Sequence, residues 1–302
     1  MTWRVADPGP AAVGFARPRP LGPSLPGDSA WRSVLLAVGF VLASVVGSVL
    51  AVVVGEVLRI RRAHVVRSMR TAGISCPEHT ASRMYRSLGR GIAELVHLLL
   101  CRPASLRGAV RLDEREIRSW LGGPGGAVIA TAHTANWDLV ACRLAELFPV
   151  TVVTKHLSVR WLDRLWQGLR ARRGVNLVGA GSVRRGALRA LVEGHLVATL
   201  VDQAPERRRA AIRVPFLGQL AWVDLAPALL ALRARVPLAV AFPRRDPDGG
   251  LGAELGPVLL PPAVPSRQWA EAAMRESTAA LERFVYQHPE QWLWMHRRWK
   301  DA

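Results

Sequence analysis

Five short apolar runs separated by helical stretches constrain this chain more than any other feature. The runs are "AVIATA" (127–132), "VTVVT" (150–154), "VNLVG" (175–179), "LVATLV" (196–201) and "PLAVAF" (237–242). Helical stretches at 138–147, 160–173, 182–193 and 222–235 fall between them, and a long helix near 266–287 precedes a short aromatic one. Unbroken Val/Ile/Leu runs are what strands buried on both faces look like, and intervening helices supply right-handed crossovers. The expected fold class is therefore α/β, a mostly parallel sheet with flanking helices. Upstream, "SRMYRSLGRGIAELVHLLL" has helical periodicity, with Leu88, Ile92, Leu95 and Leu99 on one side. Gly179, Gly181 and Gly186 lack the spacing of a dinucleotide loop and are read as a strand-to-helix turn.

The N-terminal region adds a second constraint. Val34 to Gly55 is a run of 22 residues without a charge. As a helix it would be about 33 Å long, the thickness of a bilayer core. Arg59, Arg61, Arg62, Arg67 and Arg70 follow at once, which by the positive-inside rule places the C-terminal bulk in the cytoplasm. The run is too long and too far from Met1 for a signal peptide. Within it Gly39, Ala43, Gly47, Ala51 and Gly55 recur every four residues. Such a stripe permits close helix approach in lipid, but Gly and Ala are common throughout, and the repeat is read as compositional. Residues 1–30, rich in Pro and Gly, read as a disordered tail. The expected organisation is a tail (1–30), one N-terminal membrane helix (31–62) and a catalytic domain (63–302) at the cytoplasmic face of the inner membrane.

The formal net charge is +18, and lysine occurs only at Lys155 and Lys300, so the basicity is arginine. It reflects either compositional bias or attraction to anionic surfaces. Cys76, Cys101 and Cys142 are scattered, with no disulfide framework and no Cys-x-x-Cys pair. This pattern suits a reducing cytoplasm. The histidines show no metal-ligand spacing, so no metal site is expected.

The first apolar run leads straight into "AHTANWDLV", placing His133 and Asp138 where a strand ends and a helix begins. Ligands of open α/β sheets gather at such places. Residues five apart on one straight helix differ by roughly 140°, so His133 belongs in the turn and Asp138 in the first helical turn. From there the carboxylate could fix the imidazole tautomer and stabilise the imidazolium formed in proton transfer.

Three further segments accompany this motif in order: "VDQAPERRRAAIRVPFLGQLA", "FPRRDPDGG" and "HPEQWLWMHRRWK". Together they resemble the bacterial lipid A acyltransferase family, which includes lauroyl and myristoyl transferases and phosphatidylinositol mannoside acyltransferases. The resemblance spans about residues 31–300, with the Trp-rich string its most specific part. It implies a glycerolipid acyltransferase-like fold and the H-x4-D/E chemistry, with His133 as base and Asp138 as its acidic partner. It also implies that Asp202 falls where mannoside acyltransferases place an acid that hydrogen-bonds the histidine. Gln203, Phe216 and Gly218 match a cleft-lining pattern, and Asn136 within the motif is assigned to substrate binding. The implied donor is acyl-CoA or acyl carrier protein, with no cofactor. The implied acceptor is a hydroxyl of an anionic phospho- or glycolipid in the membrane.

Thr134 and Ala135 stand where many lipid A enzymes carry a Gly, and Lys155 where an Arg or an acid is usual. Both departures leave the acceptor open. The arginines that follow the strands suggest a basic rim, with Lys155, Arg185 and Arg244 as its contacts. Two other readings fit the residues: a lysophospholipid acyltransferase, and a non-catalytic basic membrane-tethered protein. Nucleic acid is not an expected partner.

Overall fold

The structure, a computed structural model, describes residues 30–100, 106–123, 125–154, 159–179, 183–206 and 208–300. The Pro/Gly-rich tail (save Ala30) and Lys155 lie outside the described residues.

All five expected strands form: β1 (Ala127–Thr131), β2 (Val150–Thr154), β3 (Val175–Gly179), β4 (Leu196–Leu200) and, after an intervening hairpin, β7 (Leu238–Arg245). They join an edge strand, β8 (Leu251–Leu259), in a six-stranded sheet of order β3-β2-β4-β1-β7-β8. Every pairing is parallel except β7–β8. From β1 the chain passes through α6 (Trp137–Ala145) to β2, beyond β4, whereas from β4 it returns to β7, beyond β1. Strand order thus reverses between β1 and β4, and a crevice opens at their C-terminal ends.

Alternation along the strands divides the core in two. Val128, Ala130 and Val197 pack with α8 (Val183–Val192), α9 (Ala226–Ala234) and α10 (Arg267–Gln287) on one face. Ala127, Ile129 and Leu196 pack with α4 (Leu106–Ala109), α5 (Glu114–Leu121) and α6 on the other. α7 (Arg160–Arg172) lies against β3.

Two stretches depart from expectation. Residues 222–235 do not form one helix. Gln219–Asp224 is strand β6, paired antiparallel with β5 (Ala211–Phe216), and α9 begins only at Ala226. The hairpin turns through Leu217 and Gly218, both left-handed (φ 52° and 75°). Such turns favour Asn-Gly or Gly-Gly, so a leucine in first place hides the signal. Among the described residues after α10 only Pro289–Gln291 is helical, a single 3-10 turn. Trp292 and Trp294 are non-helical, nearly fully buried core residues.

The apolar N-terminal run is helical. α1 (Ala30–Val52) ends in a π-helical turn (Val53–Val57), and α2 (Arg62–Thr71) departs at 77°. Among the described residues no single helix is long and apolar enough to cross a membrane, and only the bent pair Val41–Val57 with Arg62–Thr71 together meets that criterion. α1 packs against α3 (Pro77–Leu100) through Gly47 and Ala51, so the small-residue stripe is a packing feature and not a compositional one. A Cβ on Gly47 would lie 2.3 Å from the Gly89 carbonyl oxygen, and one on Gly89 would lie 2.2 Å from that of Gly47. Nothing larger than glycine fits the crossing. The far side of α1 presents Val38, Val41, Leu42, Val45, Val46 and Val49 to the exterior, Leu42 60% exposed.

Candidate active site

β1 and β4 are neighbours in register, with Ala130 beside Thr199 and Thr131 beside Leu200. Two steps further along each strand come His133 and Asp202. The His133 ring Nδ1 lies 2.9 Å from Asp202 Oδ1, and the His133 backbone N–H donates to Asp202 Oδ2 at 3.1 Å. Trp292 Nε1–H donates to the same Oδ2 at 3.0 Å. Asp202 is wholly buried, while His133 keeps 13% of its side chain exposed.

The turn that carries the histidine is held from three sides. Thr134 Oγ1 donates to the Pro243 carbonyl at 2.8 Å, Ala135 N–H to Gln291 O at 2.9 Å, and Leu293 N–H to His133 O at 3.0 Å. Ala135 is left-handed (φ 42°). That conformation costs a non-glycine residue about 1–2 kcal/mol. Asn136 then caps α6, its Oδ1 accepting from Leu139 N–H at 3.3 Å, while its Nδ2 donates to Gly91 O and Glu94 Oε2.

Asp138 sits in the first turn of α6, as expected, but its hydrogen-bond partner is not His133. Arg170 Nε donates to Asp138 Oδ1 at 2.7 Å, and both side chains are largely buried. Burial drives the Asp138 carboxyl above its ordinary range against the pull of Arg170. For Asp202 burial acts in the same sense, yet the His133 charge and hydrogen bond outweigh it and hold the carboxyl below the usual range. Burial alone would depress the His133 pKa, but Asp202, with a lesser push from Asp138, raises it above the ordinary value. A second histidine, His296, has its ring 4.7 Å from that of His133, and burial lowers its pKa to about 4, so it is neutral near pH 7.

His133 opens onto a cleft between α3 and the C-terminal segment, walled by Met84, Leu88, Trp137, Gln291 and Leu293. Its free volume is about 20 Å³, little more than one water.

The family model for bacterial lipid A biosynthesis acyltransferases matches residues 46–301. The chain belongs to that family. No curated protein matches closely enough to count as a relative. As a lipid A biosynthesis acyltransferase family member, the chain is an acyltransferase acting on a lipid acceptor.

Within this acyltransferase the residues expected at the site fall into two groups. His133, Asp202 and, through His296, Gln203 converge, with Gln203 Nε2 lying 3.4 Å from His296 Nε2. The others are placed elsewhere or do other work. Asn136 is a buried helix cap. Phe216 is buried against Trp292 and Trp299. Gly218 supplies the left-handed hairpin turn beside Thr71. Arg244 is engaged with Asp246 at 2.8 Å, and Arg185 is exposed on α8, on the far side of the sheet from α6. Sequence reasoning gave no place in the catalytic site to Trp292, His296 or Arg170. The first two lie in the Trp-rich string that carried the family resemblance, and Arg170 lies within a run of arginines with no mark to single it out.

His133, Asp202 and His296 also offer ligand atoms within 4.8 Å of one another, a cluster from separate parts of the chain that spacing could not show. Both Asp202 oxygens already accept hydrogen bonds, so the observed geometry is that of a paired imidazole and carboxylate.

Proposed function

We propose that His133 is the general base of an acyl transfer from a thioester donor, acyl-CoA or acyl carrier protein, to a hydroxyl of a phospho- or glycolipid. The observation that carries this reading is the His133 Nδ1–Asp202 contact. With Nδ1–H donating to a carboxylate, the lone pair lies on Nε2, the nitrogen that can face a substrate. The acceptor hydroxyl loses its proton to Nε2 as its oxygen attacks the thioester carbonyl. Collapse of the tetrahedral adduct breaks the C–S bond, and the departing sulfur takes the proton back from Nε2. Asp202 stabilises the imidazolium between these steps. Asp138 acts through charge, and Arg170 keeps that charge compensated. Since the cleft is nearly closed, substrates enter when α3 and the 290–293 segment part.

The same reading places the enzyme at the membrane. The support is the exposed apolar stripe of α1 beside Arg59, Arg61 and Arg62, which suits a helix facing lipid next to anionic headgroups at the cytoplasmic side. Mass spectrometry of total lipids from cells with and without the protein tests the whole proposal. The expected result is loss of one acylated lipid and accumulation of the same lipid lacking one acyl chain. Identical lipid profiles would refute it.

A further inference from the structure

A larger hollow, of about 300 Å³, opens where α2 meets the C-terminal segment. From α2 it is lined by His64, Arg67, Ser68 and Thr71, and from the C-terminal segment by Arg297 and Lys300. The α2 residues are spaced i, i+3, i+4 and i+7, so they form one stripe of the helix. Among the described residues no carboxylate lines the hollow. Neighbouring arginines on the same part of the surface find acids: Arg62 pairs with Glu56, Arg70 with Glu78 and Arg83 with Glu290. Among the described residues Arg67, Arg297 and Lys300 have no such counterion. Three cations around one concavity repel each other unless an anion joins them.

From this geometry we infer that the hollow is a phosphate-binding pocket, separate from the catalytic cleft, that takes the phosphorylated headgroup of an anionic membrane lipid. Phosphate supplies the acceptor oxygens that two guanidinium groups and an ammonium group require, and the Ser68 hydroxyl adds a neutral donor. The lipid source follows from position. α2 begins a few residues after the exposed apolar helix α1 and turns 77° away from it, which sets it at headgroup level if α1 faces lipid. To that extent the inference rests on the membrane reading above, but not on the chemistry at His133.

The pocket is one residue removed from the active site. His64 Nε2–H donates to the His296 carbonyl at 3.0 Å, and Arg61 donates to Met295 O at 2.7 Å. The His296 side chain stands beside His133. A headgroup bridging α2 and Arg297 therefore fastens the strand of chain that positions His296.

The test is calorimetric titration of the full-length protein in phosphatidylcholine nanodiscs, which reads binding without turnover. The titrants are dihexanoyl phosphatidic acid, dihexanoylglycerol and inorganic phosphate. The proteins are wild type, Arg67→Ala, Arg297→Ala, Lys300→Ala and, as a control for lost charge elsewhere, Arg233→Ala. Phosphatidic acid should bind the wild type, and Arg67→Ala or Arg297→Ala should weaken it about tenfold or more. Dihexanoylglycerol should not bind, and Arg233→Ala should leave affinity unchanged. Should Arg67→Ala fail to fold, Arg297→Ala and Lys300→Ala decide the question. Inorganic phosphate binding as tightly as phosphatidic acid would support the pocket but overturn the lipid as its source. Pocket variants within about twofold of wild type, or an equal loss in Arg233→Ala, would overturn the pocket.

Discussion

His133 and Asp202, 69 residues apart in sequence, are joined by a 2.9 Å hydrogen bond because β1 and β4 run parallel and in register. The carboxylate is thus built into the sheet, not into the motif that carries the histidine. This arrangement separates the duties of the two aspartates and gives each a distinct mutational signature.

Asp202→Asn should lower kcat and move the acid limb of the pH profile downward. Catalysis needs the neutral imidazole, so activity falls as pH drops through the His133 pKa. Asp202 is the main influence raising that pKa against burial, and removing its charge leaves burial to depress it. An acid limb that stays in place, measured as kcat/KM against pH, would disconnect Asp202 from the titrating group.

Trp292→Phe should shift the same limb the opposite way. The ring packing against Phe216 and Trp294 is largely kept, but the Nε1–H bond to Asp202 Oδ2 is lost. A carboxylate with one donor fewer attracts the imidazolium proton more strongly, so the His133 pKa rises. Oδ2 keeps the His133 backbone N–H as a donor, so losing this one bond to a charged group should cost about 1.5–3 kcal/mol of stability, measurable by denaturant unfolding.

Asp138→Ala should act mainly on stability. It strands the buried Arg170 guanidinium, and breaking a buried pair from one side typically costs about 3–5 kcal/mol. Asp138→Asn keeps the shape and should fall between Asp138→Ala and wild type in urea midpoint. A wild-type midpoint for Asp138→Ala would show that the Arg170 contact carries no structural weight.

Much of this architecture was legible in the sequence, for physical reasons that also mark where reading stopped. The parallel strands announced themselves because burial on both faces leaves unbroken apolar runs, and His133 because β1 runs directly into its motif. The β5–β6 hairpin stayed hidden because Leu217 occupies a left-handed position usually held by Gly or Asn. β8, an edge strand containing Gly252, Gly256 and Pro257, has the composition of a loop. Strand order is a tertiary property, so no local pattern could say that β4 lies beside β1. The choice between Asp138 and Asp202 as hydrogen-bond partner stayed open for that reason. The Gly/Ala stripe looked compositional because its meaning lies in Gly89 on another helix.

The two sides of α1 should respond differently to substitution. Val45→Glu with Val49→Glu places charge on the exposed stripe and should move the protein from the membrane fraction toward the soluble one without unfolding it. Gly47→Leu instead forces a side chain into the Gly89 backbone, and such overpacking costs about 1–3 kcal/mol or more. Fractionation and thermal unfolding separate the two effects. An unchanged membrane fraction for the double glutamate variant would argue against lipid contact through this face.

The role of His133 is tested most directly by the turnover of purified His133→Ala with an acyl thioester donor and a lipid acceptor. The ring is partly exposed in a turn held by backbone hydrogen bonds, so the variant should fold with the circular dichroism of wild type, at a lowered melting temperature because the buried Asp202 carboxylate loses its imidazole partner. Loss of a positioned general base should reduce kcat by about a hundredfold or more, with little change in donor KM. A folded His133→Ala enzyme turning over within a few-fold of wild type would contradict the assignment of His133 as the base.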